Sequence, residues 1–197
     1  MESQTRSKKI VILFSGPHAS GKTTVAKAIS EKLGLRYFST GELFRKKAKE
    51  LGMSLIEFTK YVDEHPEVDY EIDSIAKEEI KKGDVVLDSQ LAYFFAKEIN
   101  DPDIIKISIM LHAPLKTRIK RLMERENLTY DEAAKELSVR EKREYTRFKR
   151  LYNVDLWRPD DFDVIVNTSN MDKNSVIDLC LAIVEKLIKC REEPGEK

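Results

Sequence analysis

No run of apolar residues in the chain approaches the ~20 needed for a helix to span a bilayer. The opening residues, Met1–Lys9, are polar and lack the apolar core of a signal peptide. Net charge is missing too. The 35 basic residues balance 35 acidic ones, so the chain exerts no general pull on nucleic acid or an anionic membrane, and any cationic site must be local. Cysteine is nearly absent. If Cys180 and Cys190 both lie on the last helix, they stand about 15 Å apart, too far for a disulfide, and a reduced, cytoplasmic setting is expected. His65 and His112 are not spaced with cysteine or carboxylates as metal ligands, so no structural zinc is assigned. Internal repeats and low-complexity linkers are lacking as well, and 197 residues suit one compact domain with a full core. Charge of both signs, by contrast, is plentiful at 36% and rich in Glu and Lys, which suits surface ion-pair networks.

One segment stands out against this background. Gly16 to Thr24 reads Gly-Pro-His-Ala-Ser-Gly-Lys-Thr-Thr, preceded by the apolar run Ile10-Val11-Ile12-Leu13-Phe14 and followed by a helical pattern. This is G-x-x-x-x-G-K-T in strand–loop–helix context, the P-loop signature. Each fixed residue has a mechanical reason. Glycine permits a tight turn and close approach to an anion, and the following helix offers free N–H groups to negative charge. Lys22 can reach terminal phosphates, and the Thr23 hydroxyl can ligate Mg²⁺.

Five short apolar runs read as strands: Lys9–Ser15, Arg36–Ser39, Asp84–Asp88, Ile104–Leu111 and Asp163–Asn167. Helical patterns separate them. Val25, Ala28, Ile29 and Leu33 form one face of the first helix, and Gly34 can stop it. Thr40 is expected to cap a helix over Gly41–Leu51. Ser54 with Glu57, and Thr129 with Glu132, read as capping boxes. Gly83 ends a helix before the third strand, and Pro114 opens one that runs to about Asn127. Val176, Leu179, Cys180, Ile183, Val184, Leu187 and Ile188 give the last helix an apolar stripe. The tail, Arg191–Lys197, is expected to be disordered. Alternating strands and helices imply an α/β fold: a five-stranded parallel sheet flanked by helices, with ligands at the carboxyl ends of the strands. Two helical stretches, 41–82 and 128–158, can close over that edge as an acceptor-side insert and a lid, leaving a core of 8–40, 83–127 and 160–190.

Several residues are candidates for chemistry. Asp88 ends Val85-Val86-Leu87-Asp88 beside the P-loop. It can orient the Mg²⁺ water shell or take a proton from an acceptor hydroxyl; the competing reading is a helix cap. Arg118, Arg121 and Arg125 share a helical face, as do Arg140, Arg143 and Arg147, with Arg150 beyond. Phosphoryl transfer calls for positioned cations, and arginine suits it. By spacing alone, however, a solvated face paired with Glu124, Glu141 and Glu144 is the better reading. Arg45 points toward the cleft if its helix starts at Gly41. His18, inside the loop, can touch nucleotide or Mg²⁺-bound water. Trp157 and Tyr152 are expected to pack the base of the lid.

With these residues in hand, the chain resembles the nucleoside monophosphate kinases, most of all the archaeal-type cytidylate kinases, over roughly residues 8–190. The resemblance rests on Gly16–Thr24, Ser39–Arg45, Gly52-Met53-Ser54-Leu55 with Glu57-Phe58 and Tyr61, and His65-Pro66-Glu67-Val68-Asp69. It continues through Arg140-Glu141 with Arg147, Tyr152-Asn153-Val154-Asp155, and Asp163–Ser169. It implies transfer of the ATP γ-phosphate to a nucleoside monophosphate, with CMP or dCMP as acceptor, Mg²⁺ as cofactor and a monomeric chain. It makes Gly16, Ser20, Gly21, Lys22, Thr23 and Thr24 nucleotide ligands, with His18 and Ala19 between them. Thr23 and Asp88 are the expected metal-site residues. Arg45 becomes an acceptor-phosphate ligand beside Thr40 and Gly41, and Arg140 and Arg147 become lid arginines acting with Lys22 on the transferring group.

The chain departs from that family at the acceptor side. The family's Glu-Gly-Arg-Leu-Ala is here Asp88-Ser89-Gln90-Leu91-Ala92, and its Val-Asp-Arg is Val68-Asp69-Tyr70. Two expected cations are thus absent, and each charge-assisted bond to phosphate is worth about 1.5–3 kcal/mol. Lys22 stands where many archaeal relatives carry Thr. A second reading therefore stays open: an unphosphorylated hydroxyl acceptor, with Asp88 as base and Asp69, Asp73 and Gln90 contacting the substrate. A third is a nucleotide-dependent switch or assembly protein. A GTPase is disfavoured because no Asn-Lys-x-Asp motif is present.

Overall fold

A computed structural model describes residues 8–192. The chain runs β1 (Lys9–Ser15), α1 (Lys22–Leu33), β2 (Arg36–Ser39), α2 (Thr40–Glu50), α3 (Leu55–Glu64), α4 (Pro66–Lys82), β3 (Val85–Asp88), α5 (Ala92–Glu98), β4 (Ile104–His112), α6 (Leu115–Glu126), α7 (Tyr130–Tyr152), a 3₁₀ turn (Pro159–Asp161), β5 (Val164–Asn167) and α8 (Lys173–Glu192). The five strands form one sheet in the order β2-β3-β1-β4-β5, and every pairing is parallel. The expected strands are all present, within a residue at their ends.

The central strand β1 explains the layering. Ile10, Ile12 and Phe14 enter one apolar cluster with α1 and α8, while Val11 and Leu13 enter another with α4 and α5. Alternate side chains of a strand point to opposite faces, so a strand apolar at every position must be covered on both, as parallel sheets are. Two smaller clusters lie apart from these. One joins α6 to α7 through Ile119, Leu122, Ala133 and Leu137. The other gathers Ala48, Phe58 and Val62 within α2–α4.

Local signals explain most boundaries. Gly34 and Asn127 end α1 and α6 in the left-handed conformation, and both capping boxes are formed. Four details differ from the sequence reading. The cap of α2 is Ser39, whose extended backbone lets its hydroxyl accept from Glu42 N–H, so Thr40 is the first helical residue. Asp84 lies just before β3, with its carboxylate accepting from Ile10 N–H at 3.1 Å. Leu179 is exposed, and Ile177 fills the buried face instead, because the stripe of α8 is turned toward the face shared with β4 and α1. Arg191 is not in a loose tail: it belongs to α8, donating to Lys106 O and pairing with Asp163. The remainder of the expected tail, 193–197, lies outside the described residues. Cys180 and Cys190 are both on α8 and unbridged, one buried and one exposed. Among the described residues no helix is long and apolar enough to cross a membrane.

Candidate functional site

The P-loop leaves β1 at Ser15 and enters α1 at Lys22. Gly16 sits at φ 127°, and a Cβ there would meet Leu111 O at 2.1 Å, so only glycine lets the loop press against the end of β4. Gly21 caps α1 at φ 103° without any side-chain bond. The first N–H groups of α1 therefore stay open to an anion, and its first turn carries no acidic residue. Ala19, at φ 59°, is a further left-handed residue in the loop.

The loop is braced from outside. Arg121 donates to Ser20 O at 3.2 Å and to Thr168, and Thr168 Oγ1 donates to the same carbonyl at 3.1 Å. Arg118 donates to His18 O at 3.2 Å and to Ala113 O, and pairs with Glu141. These two arginines are therefore not the solvated ion pairs that their spacing suggests. They replace solvent for loop carbonyls that would otherwise be buried unpaired. Arg125 fits the solvated reading better: it pairs with Glu126, yet borders the cleft. Glu124 pairs with Lys120.

One cleft runs along the carboxyl ends of the strands. At its P-loop end lie His18, Ala19, Gly21, Lys22, Thr23 and Thr24, and Arg140 and Arg147 of α7 line the same cleft. Lys22 Nζ donates to Gly16 O at 2.6 Å and Pro17 O at 3.0 Å. Burial lowers its pKa against the pull of Asp88, Glu144 and Glu141. The helix α7 lies directly on the loop. Glu141 accepts from His18 N–H at 3.0 Å, and Glu144 bonds His18 Nε2 at 2.8 Å. Burial, with Arg140 and Lys22 nearby, lowers the His18 pKa despite the opposing pull of Glu144. Burial opposes the charge on Glu144, but His18, Arg140 and Arg147 outweigh it and hold the carboxyl at about 2. Ser20 and Gly16 lie beneath the surface, and Ser20 Oγ is buried without a partner.

Asp88, at the end of β3, is aligned with Phe14 and Ser39 across the sheet. Its Oδ2 accepts from Thr23 Oγ1 at 2.5 Å and faces Tyr37 and Ser39 hydroxyls at 3.4 Å. Burial and the Asp88 charge push the Tyr37 phenol upward, keeping it a donor. Two hard oxygens beside a phosphate loop match the way Mg²⁺ binds, through one or two protein oxygens with the remainder from phosphates and water. Among the described residues no cluster of three His, Cys, Asp or Glu could cage a metal.

The other end of the cleft is lined by Thr40, Gly41, Phe44 and Arg45 of α2, Asp69 and Asp73 of α4, and Gln90. Arg45 lies over Gly41, with Nη1 3.5 Å from where a Cβ there would stand. Burial pushes Asp69 up to about 6 and Asp73 to about 7, against the pull of Arg147 on the first and a 2.7 Å bond from Tyr152 on the second. Arg147 Nε approaches Asp69 at 2.7 Å, but neither atom is aligned for a hydrogen bond, so the contact is ionic. Trp157 Nε1–H donates to Gln90 Oε1 at 3.3 Å, which fixes the amide and leaves Nε2 buried and unpartnered. Tyr152 and Trp157 pack into the core cluster under α7, as expected. His65 pairs with Glu67 and stacks on Tyr61, away from the cleft.

A family profile described as AAA domain matches residues 15–139. A cytidylate kinase from Ignicoccus hospitalis is 39% identical over 168 residues, covering 85% of this chain and 95% of that protein. Another from Methanocaldococcus jannaschii is 39% identical over 181 residues, covering 91% of this chain and all of that protein (100%). The chain belongs to the cytidylate kinase family. Its fold is also that of a shikimate kinase from Bacteroides thetaiotaomicron, with TM-score 0.58 at 14% identity, over 91% of this chain and 98% of that one.

The sequence named Arg121, Glu141 and Glu144 only as members of a charged helical face, not as braces of the loop, and gave no role to Thr168 or to Asp63, which pairs with Arg143 and Arg147 beside the cleft. The spacing of 118, 121 and 125 did mark the face that carries Arg121. For Asp63 and Thr168 no local pattern exists, because their partners lie on distant elements.

Proposed function

We propose that the protein transfers the γ-phosphoryl group of ATP to a nucleoside monophosphate, CMP or dCMP. The observation that carries this reading is one cleft with Lys22 and the open N-terminus of α1 at one end, Arg45 at the other, and Arg140 and Arg147 between. The close likeness to cytidylate kinases along nearly the whole chain supports it. In this reading α2–α4 is the acceptor-side insert and α7 the lid, each with its own small apolar cluster.

The acceptor's phosphate oxygen is already anionic at neutral pH, so the attack needs no general base. What it needs is charge compensation while two phosphates crowd together. Backbone N–H groups of the loop and Lys22 bind the donor phosphates once Lys22 leaves the Gly16 and Pro17 carbonyls. Arg45 holds the acceptor phosphate. Arg140 and Arg147 neutralise the migrating group, and α7 excludes water from it. Thr23 and Asp88 would hold Mg²⁺, which supplies further neutralisation of the donor phosphates.

A second reading has a specific observation behind it. Around Arg45 the acceptor end carries two carboxyls, Asp69 and Asp73, and the neutral Gln90, and the Arg147 guanidinium there is already engaged with Asp69. That composition suits an unphosphorylated hydroxyl acceptor, with Asp88 as base. The deciding experiment is ADP release from Mg-ATP against CMP, dCMP, UMP, AMP, GMP, nucleosides and sugars. Stimulation by CMP or dCMP is the expected result. Stimulation only by an unphosphorylated compound would replace the first reading with the second, and silence across the panel would tell against both.

A further inference from the structure

We propose that Asp63 is a positioning residue for phosphoryl transfer: it seats α7 on α3 and thereby holds Arg147 over the cleft. The inference rests on the reading of Arg147 given above. Asp63 lies at the end of α3, outside the cleft, and touches no residue of the P-loop. Three arginines of α7 nevertheless converge on it. Arg147 Nη1 donates to Oδ1 at 3.2 Å, Arg143 Nη1 pairs with Oδ2, and Arg150 Nη2 donates to the backbone carbonyl at 2.8 Å. Residues 143, 147 and 150 share one face of a helix, so a single residue of α3 fixes both the rotation of α7 and its position along its axis.

The energetics favour a positioning role. The Arg147 side chain is only 2% exposed, and a desolvated guanidinium is costly unless opposite charge lies beside it. Its contact to Asp69 is close but poorly aligned, so the aligned bond to Asp63 is what orients the planar fork. Asp63 occupies Nη1 and Asp69 faces Nε, leaving Nη2 without a protein acceptor among the described residues. That is the atom available to a phosphoryl oxygen. Arg143 is 38% exposed and does not border the cleft, so it serves as the outer arm of the anchor alone.

The test compares Asp63→Asn, Asp63→Glu and Arg143→Gln with the wild type, using far-UV circular dichroism and melting to select folded protein. Asp63→Asn is expected to lower kcat by about tenfold or more, because small misplacement of a transition-state cation is costly, while ATP KM stays within about twofold. Asp63→Glu should recover part of kcat. Arg143→Gln should lower it by a smaller factor, and the double variant Asp63→Asn/Arg143→Gln should be no worse than Asp63→Asn, as one shared anchor requires. Hydrogen exchange in the 143–150 segment should quicken in Asp63→Asn without any ligand present. Unchanged kcat in folded Asp63→Asn, fully additive effects, or unchanged exchange would each overturn the inference. A wild-type protein that phosphorylates no nucleoside monophosphate would instead tell against the proposed function, leaving the exchange measurement to judge the anchor.

Discussion

At the P-loop end of the cleft the groups available to an anion are backbone N–H groups and one lysine. They sit on a loop pressed against β4 and braced through its own carbonyls. At the α2–α4 end they are side chains on helices with a small separate core, held to the rest by ion pairs such as those of Asp63. At the first end the main chain of the loop is held by side chains that donate to its carbonyls. The second depends on side-chain charges finding each other across helices. A loop can be encoded in one continuous stretch of sequence; a surface built from side chains on separate helices can be altered one side chain at a time.

The largest effect should come from the P-loop end. Lys22→Ala is expected to reduce turnover by about 10²–10³-fold or more with the fold retained by circular dichroism, and near-normal turnover would break the comparison. Next comes Arg147→Ala, which should lower turnover about 100-fold while ATP affinity by calorimetry changes little, because its charge is needed mainly in the transition state. Its melting temperature should fall as well, since Asp63 and Asp69 lose a buried cation. Equal loss of turnover and ATP affinity would move Arg147 to the ground-state nucleotide site.

A smaller effect, of opposite sign, tests how far the acceptor end has diverged. Gln90→Arg should lower KM for CMP by about tenfold and leave KM for ATP unchanged. If CMP use does not improve, the hydroxyl-acceptor reading gains. The smallest effect is on stability. Burial raises the Asp69 and Asp73 carboxyls from 3.8 to about 6 and about 7, so the folded chain binds their protons more tightly than the unfolded chain. The stability tied to those protons is full below about pH 4 and is lost as pH rises through 6 and 7. Asp73→Asn, a mimic of the protonated acid, should therefore gain melting temperature over the wild type between pH 5 and pH 8, by about 2–4 °C for each kcal/mol. A gap that does not grow with pH would mean that Asp73 is not buried as a carboxyl.

The same division explains what could be read from the sequence. The strands were legible because apolar runs bounded by glycine and charge have few alternatives in a parallel sheet, and the P-loop because its residues are contiguous. The roles proposed for Arg140 and Arg147 come from resemblance; their spacing alone is that of any charged helix. Arg118 and Arg121 had the same spacing and turned out to brace the loop, which no periodicity could reveal. Ser39 rather than Thr40 caps α2 because two adjacent hydroxyls satisfy the same pattern and backbone geometry decides between them. The roles of Asp69, Asp73 and Gln90 depend on burial and on partners such as Tyr152 and Trp157, far away in the chain.

One brace of the P-loop has a consequence for the order of events in folding. Thr168 holds Ser20 from 148 positions downstream, at the far end of β5. A growing chain therefore carries every residue of the loop long before it carries the residue that helps set the loop's shape. Contacts this distant form late, because the intervening chain must first be closed. The Thr168 brace is in place only when the chain after β5 has docked beside the loop. A fragment stopping at residue 139, where the AAA domain match ends, would contain the whole motif and lack this support. Comparing nucleotide binding by that fragment and by the whole chain would measure what the β5 edge of the sheet contributes to the loop.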